Sequence, residues 1–183
     1  MKKALNELDY NKKARDEVLQ AAIAWLDKHP EVKRSPKILL VNMNEPSYRK
    51  RAHLYDFETG QFLRDHHTTH GDKSCLWYDK ANATKFSNEP NSHMTSLGMM
   101  RAGETYYGKN GKSRRLNGLE KGINDNVAKR SVVLHQANYV TDAYIMQMGM
   151  AGCSWGCFAF APRVFSSLVD DVEAGTLVYC YHS

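Results

Sequence analysis

Cys157 and His135 are the residues of this chain whose surroundings point to covalent chemistry. Cys157 closes the run A-G-C-S-W-G-C, and Gly156 lets the backbone take a turn that other residues resist, leaving room for a substrate to reach the next side chain. His135 ends V-V-L-H, whose apolar, β-branched-rich residues read as a buried strand delivering an imidazole at its end. The thiolate is the attacking form of cysteine, and an adjacent imidazole is one way to populate it near neutral pH. A buried, inert cysteine is the commoner outcome for such a residue, so the pair needs further support. Ser154 has two readings: a hydroxyl that orients the histidine, or one that caps the turn. Backbone N–H groups at Gly156 and Cys157 are placed to receive a tetrahedral oxyanion.

Several elements are expected to position these groups. Val18, Leu19, Ala22, Ile23 and Leu26 form one apolar stripe of a helix over 11–29, capped by Asn11 and stopped by Pro30. A shorter helix around Leu5 and Leu8 precedes it. Residues 37–43 read as a buried strand, and 52–57, 58–60 and 61–64 as strand, turn and strand. The Ser-, Asn- and Pro-rich stretch 85–98 reads as loop. The glycine-punctuated polar stretch 103–126 reads as an ordered, functional loop. Residues 139–149 form a loop before the nucleophile. A helix starts at Ala161-Pro162, with Val164, Leu168 and Val169 on its inner face and Gly175 at its end, and 176–181 is a last strand packing Cys180.

At 183 residues the chain accommodates one domain with a small extension: a helical extension over 1–34 packed on a catalytic domain over 35–183. A hydrophobic content of 42% and a charged content of 25% are those of an ordinary globular protein, and no apolar run is long enough to span a membrane. The net charge of +5 favours an anionic partner. The basic clusters at 48–51 and 112–115 read as solvated surface, and no aromatic–basic interleaving marks a nucleic-acid binder. His66, His67 and His70, with Asp65, Asp72 and Cys75, lack metal-site spacing, and alternate strand residues face opposite ways, so no metal or cofactor is expected. Cys75, Cys153, Cys157 and Cys180 contain no C-x-x-C pair. No secretory signal is legible after Met1, because Asn6, Glu7 and Asp9 stand where an apolar core is needed.

The motifs carry a resemblance. S-W-G-C-F resembles the [S/T]-H-G-C signature of the L,D-transpeptidases (YkuD-like), and the whole run is similar to the murein L,D-transpeptidase catalytic subfamily, with Trp155 at the second histidine position. K-F-S-N-E-P-N-S-H-M-T-S-L-G and G-E-T-Y-Y-G-K-N-G-K-S-R-R-L-N-G-L-E-K-G-I-N-D-N resemble two further family runs, and His70-Gly71 followed by Ser74 resembles an H-G-x-x-S element on the substrate-groove wall. The resemblance implies a mainly β fold (α+β by content), a sandwich or barrel with an N-terminal helix and a short helix after the cysteine. It implies Cys157 as nucleophile, His135 as base and Ser154 as third catalytic group, with Gly156 in the oxyanion turn. It places His70, Gly71, His93, Ser96, Tyr107, Arg115, Asn124, Asp125, Asn126 and Trp155 along the substrate. Asn124, Asp125 and Asn126 equally suit turn chemistry, and Arg115 a structural salt bridge.

The activity so implied is attack on a peptidoglycan stem peptide at the meso-diaminopimelate carbonyl, expelling D-alanine. The acyl group then passes to an amine (transpeptidation) or to water (L,D-carboxypeptidation). An idle peptidoglycan-binding module is the alternative of another class. The place of action is the periplasm or cell envelope, reached through a targeting segment since removed, or by another route as an injected effector with an immunity protein as partner. Asn110 stands where the family often has histidine, Cys153 where it commonly has arginine and Cys75 where it commonly has glycine; the last two departures together suggest a disulfide between Cys75 and Cys153.

Overall fold

Strand β1 (Lys37–Asn42) carries Ile38, Leu39, Leu40 and Val41 fully buried, because both of its edges and both of its faces are covered. The computed structural model describes residues 16–32 and 35–183. The chain divides between Lys33 and Arg34 into two compact units. In the first, residues 16–27 form a helix (α1), after which His29 stacks on Trp25 at 3.8 Å. The expected Asn11 cap and the short helix at Leu5 and Leu8 lie outside the described residues.

The second unit is mainly β. Besides β1 it contains β2 (Ala52–Asp56), β3 (Phe62–His66), β4 (Gly98–Gly108), β5 (Gly111–Gly118), β6 (Val133–Gln136), β7 (Phe158–Phe160) and β8 (Leu177–Tyr181). These form one mixed sheet in the order β3-β2-β1-β8-β4-β5-β6-β7, parallel at β1–β8 and β6–β7 and antiparallel elsewhere. Helix α2 (Asp142–Met148) follows a 3-10 turn at Asn138–Val140, and α3 (Pro162–Asp171) follows β7. α3 lays Phe165, Leu168 and Val169 on the core formed with Phe158, Phe160, Leu116 and Met100. Asp171 at its end accepts from Lys37 at 3.0 Å and Arg64 at 2.9 Å.

The two edges of the sheet meet. Beyond β3 the chain runs along β7: the Thr68 hydroxyl donates to the Ala159 carbonyl (3.0 Å), and the Thr69 hydroxyl donates to Cys157 O (3.1 Å) while accepting from Ala159 N (3.0 Å). Ser154 N donates to His70 O at 2.9 Å, and Asp72 N to Ser154 O at 2.8 Å, in a short parallel bridge. The barrel is thus closed at this seam largely by threonine side chains.

Three expectations are corrected. The stretch read as a long functional loop is largely the β4–β5 hairpin, whose inward Met100, Ala102 and Leu116 are buried while polar residues alternate outward. The expected loop 139–149 holds α2, where the Thr141 hydroxyl caps Tyr144 N at 3.3 Å. The basic clusters are not wholly solvated: Arg51 is fully buried and Arg114 nearly so. Arg51 bonds Thr68 O, Glu45 O and the His70 ring, and Arg114 bonds Gly103 O and Val169 O, so each guanidinium staples backbone carbonyls inside the barrel.

Candidate active site

β6 carries His135, and Cys157 stands immediately before β7, the neighbouring strand. The parallel register pairs Leu134 with Phe158 and His135 with Ala159. Cys157 immediately precedes Phe158, so its side chain points to the same face as those of Ala159 and His135, one diagonal step from the imidazole. The two side chains therefore extend from neighbouring strands on one face of the sheet.

His135 Nδ1 lies 2.9 Å from the Gln136 carbonyl. A carbonyl only accepts, so Nδ1 carries the proton and Nε2 keeps a free lone pair: the tautomer of a base. Burial holds the ring's pKa below its usual value, against that carbonyl, which raises it, so the ring stays neutral near pH 7. Around Cys157 the order of causes differs. Burial pushes the thiol up; the Val133 backbone N–H and the Arg130 guanidinium pull it down. The thiol itself donates toward Ser131 O at 3.7 Å. Burial, the largest cause for each group, favours the neutral imidazole and the neutral thiol.

The nucleophile turn is fixed by Ser154. Its hydroxyl donates to Cys157 O at 2.7 Å and accepts from Gly156 N at 3.1 Å. These bonds make it the turn's brace, the second of the two roles open to it, and none of its described bonds reaches His135. They also commit the Gly156 N–H, which is therefore withdrawn as an oxyanion donor; no described hydrogen bond uses the Cys157 N–H. Gly156 itself is required: its φ is 110°, and a Cβ there would stand 2.6 Å from the Met94 carbonyl.

Arg130, which sequence reasoning passed over, is the nearest cation bearing on the sulfur. Its guanidinium donates to the carbonyls of Ser87 and Met94 and the hydroxyls of Ser92 and Ser96. It thereby stitches together the 85–97 loop, and an arginine next to Lys129 ahead of an apolar strand matched no motif by which to find it. That loop carries His93, which lies flat under Trp155 with ring centroids 4.3 Å apart and planes 8° from parallel. Asp72 Oδ1 lies 3.7 Å from His93 Nδ1. Trp155, 71% exposed and two residues before Cys157, offers its outer face as an aromatic platform.

The other expected substrate residues divide. His70, Ser96 and Asn124 are buried and so stand behind the surface, a correction to their placement along the substrate. The Asn124 side-chain amide donates to Leu97 O and Met99 O and its oxygen accepts from Glu120 N, so it locks a turn. Asp125 accepts from the Asn88 amide at 2.7 Å and Asn126 N donates to the Asn88 oxygen at 3.0 Å, which is again loop locking. Gly71 is pressed against the His93 carbonyl, where a Cβ would fall at 2.1 Å. Arg115 pairs with Glu104 at 2.8 Å and lies over the Tyr106 ring, its structural reading, and Tyr107 is exposed near the hairpin tip. His66 and His67 line a separate cavity of about 200 Å³ with Lys50, Asp65 and Asp142.

Cys75 and Cys153 are free thiols, with both sulfurs and a His70 ring nitrogen within 4.8 Å of one another. The structure brings the two together without a bond between them.

The sequence profile of the L,D-transpeptidase catalytic domain matches residues 10–181, and the chain belongs to that family. No curated protein matches it. Solved structures of similar fold include an L,D-transpeptidase from Mycobacterium smegmatis (12% identity, 80% of this chain and 59% of that one, TM-score 0.48). The L,D-transpeptidase from Xylanimonas cellulosilytica is similar over 81% of this chain and 61% of that one (14% identity, TM-score 0.45). Bdellovibrio bacteriovorus Bd1075 is similar over 82% of this chain and 51% of that one (13% identity, TM-score 0.49). The matched region thus spans half to three-fifths of these solved chains. Among the described residues no helix is long and apolar enough to cross a membrane.

Proposed function

We propose that this chain is a cysteine-dependent peptidoglycan L,D-transpeptidase acting in the cell envelope, with residues 35–183 as its catalytic unit. The observation that supports this reading is the register of the adjacent parallel strands, which pairs His135 with Ala159, two residues beyond Cys157, with His135 Nδ1 tied to a carbonyl and Nε2 left basic. His135 Nε2 takes the thiol proton as Cys157 Sγ attacks the diaminopimelate carbonyl carbon. The Cys157 N–H receives the oxyanion, and the same imidazolium returns its proton to the amine of the departing D-alanine. A thioester remains. An acceptor amine then gives up a proton to His135 and takes the acyl group, restoring the thiol. Trp155 stacked on His93 supplies an apolar shelf for the stem.

The experiment incubates purified protein with disaccharide tetrapeptides and reads products by mass. Dimers joined through two diaminopimelate residues support transpeptidation. Tripeptides alone support the L,D-carboxypeptidase, in which water replaces the amine. Unchanged substrate with wild type and Cys157→Ala alike leaves only a binding module. An immunity protein, the partner expected of an injected effector, would be sought by its ability to suppress the same turnover.

A further inference from the structure

His70, Cys75 and Cys153 make a second cysteine–histidine cluster on the far side of the Ser154 turn, and the reaction above uses none of them. Their ligand atoms lie within 4.8 Å of one another, and His70 Nε2 stands 3.9 Å from Cys153 Sγ. Two thiols and an imidazole so close resemble three ligands of a soft metal ion. The hydrogen bonding of His70 argues against that use. Its Nδ1 lies 2.8 Å from Arg51 Nη2, and a guanidinium only donates, so Nδ1 must accept and Nε2 must carry the proton. The Lys80 backbone also bonds the ring in the sense that raises its pKa, as an acceptor of that N–H does. Metal-ligating histidines show the opposite pattern, donating from the distal nitrogen to an acceptor. Binding a metal at Nε2 here would mean stripping an N–H proton from a ring pressed against a buried cation.

We propose instead that Cys75 and Cys153 are a thiol–disulfide exchange site, oxidised by small-molecule or protein disulfides to a bridge that locks the Asp72–Cys75 turn to the nucleophile turn. Three observations support it. The sulfurs are already neighbours, both residues are partly exposed, and the backbone between them is already in register through Ser154 N to His70 O and Asp72 N to Ser154 O. Closing the bond therefore reinforces an existing junction instead of opening a new one.

The order of steps follows from the surroundings. Cys75 Sγ, set on an exposed turn and donating to Asp72 O at 3.4 Å, is the thiol that meets the oxidant. Its thiolate attacks one sulfur of the incoming disulfide, forming a mixed disulfide and releasing one thiolate. Burial, and then the adjacent Cys75, push the Cys153 thiol up to about 12, so it keeps its proton while Cys75 is free. Cys153 then loses its proton to solvent and attacks Cys75 Sγ, with the His70 N–H facing it, and the second thiolate leaves. Two protein thiols become one disulfide while one disulfide is reduced to two thiols.

The test exposes the folded wild-type protein to oxidised glutathione, alkylates remaining thiols and maps peptides without reduction. It reads thiols and not turnover, so it stands or fails apart from the transpeptidase reading. The expected result is loss of two hydrogens from the intact mass, a peptide pair linked through Cys75 and Cys153, Cys157 still open to alkylation, and a melting temperature raised by about 5 °C. Cys153→Ser should instead accumulate a glutathione adduct on Cys75, because nothing resolves it. Alkylation of both Cys75 and Cys153 after oxidant would overturn the proposal, as would a bridge that includes Cys157. So would one equivalent of zinc held in equilibrium dialysis by wild type and lost by Cys153→Ser.

Discussion

Cys153 and Cys157 stand on either side of one turn, each with a histidine on a neighbouring segment, and those two histidines carry their protons on opposite ring nitrogens. His135 donates from Nδ1 to the Gln136 carbonyl, so Nε2 is an acceptor. His70 accepts at Nδ1 from the Arg51 guanidinium, so Nε2 is a donor. Both rings are buried enough to stay neutral, and burial with the Arg51 charge pulls His70 down to about 3. The difference lies in what touches the far nitrogen, a carbonyl or a cation. That contact decides whether the near nitrogen withdraws a proton from sulfur or offers one to it.

The comparison is tested most severely by removing the reacting atoms. Cys157→Ala and His135→Ala should each lower turnover of tetrapeptide substrate by about 1000-fold or more. Loss of turnover in His70→Gln with the fold intact, alongside full activity in His135→Ala, would reverse the assignment. Nitrogen-15 imidazole spectra check it directly, with the proton expected on Nδ1 of His135 and on Nε2 of His70. Arg51→Met should cost about 3 kcal/mol in urea unfolding, since Thr68 O, Glu45 O and the His70 ring lose their buried donor together.

Acid should destabilise the protein before its carboxylates titrate. The folded His70 binds its proton only near pH 3, whereas the unfolded ring does so near 6.5. The unfolded state therefore takes up protons first as pH falls, and stability present above pH 6.5 is lost progressively below it, by roughly 2.5 kcal/mol at pH 4.5. Equal urea midpoints at pH 7 and pH 4.5 would show that His70 is not held as described. Arg130→Met should slow alkylation of Cys157 by iodoacetamide about 3- to 10-fold at pH 7.5 and shift its pH profile upward, because a charge favouring the thiolate is gone. Trp155→Ala should have the smallest effect, raising KM about 3- to 5-fold with kcat nearly unchanged and stability within about 0.5 kcal/mol, as the ring is mostly exposed.

What the sequence revealed followed from pattern strength. The apolar runs of β1, β6 and β8, the β2–β3 hairpin and the start of α3 at Pro162 were legible, because each pairs a clear periodicity with a turn or proline signal. β4 and β5 were hidden: only alternate residues such as Met100, Ala102 and Leu116 face inward, and glycines interrupt the alternation. α2 was missed although Thr141 and Gly149 bracket it, because its seven residues bury Ile145 alone. At the candidate site, Cys157 and His135 were singled out through a motif. Arg51 and Arg130 were not, since a buried arginine looks in sequence like any surface one. Only the carbonyls gathered around it by the fold reveal its place.

The threonine seam along β7 has a consequence for the molecule among its neighbours. Three backbone groups on the outer edge of the nucleophile strand are occupied by two hydroxyls, leaving a foreign strand no row of amides on which to dock there. Thr68→Val and Thr69→Val would keep the shape but uncap that rim, turning a sealed margin into a sticky one at Cys157 and two residues beyond it.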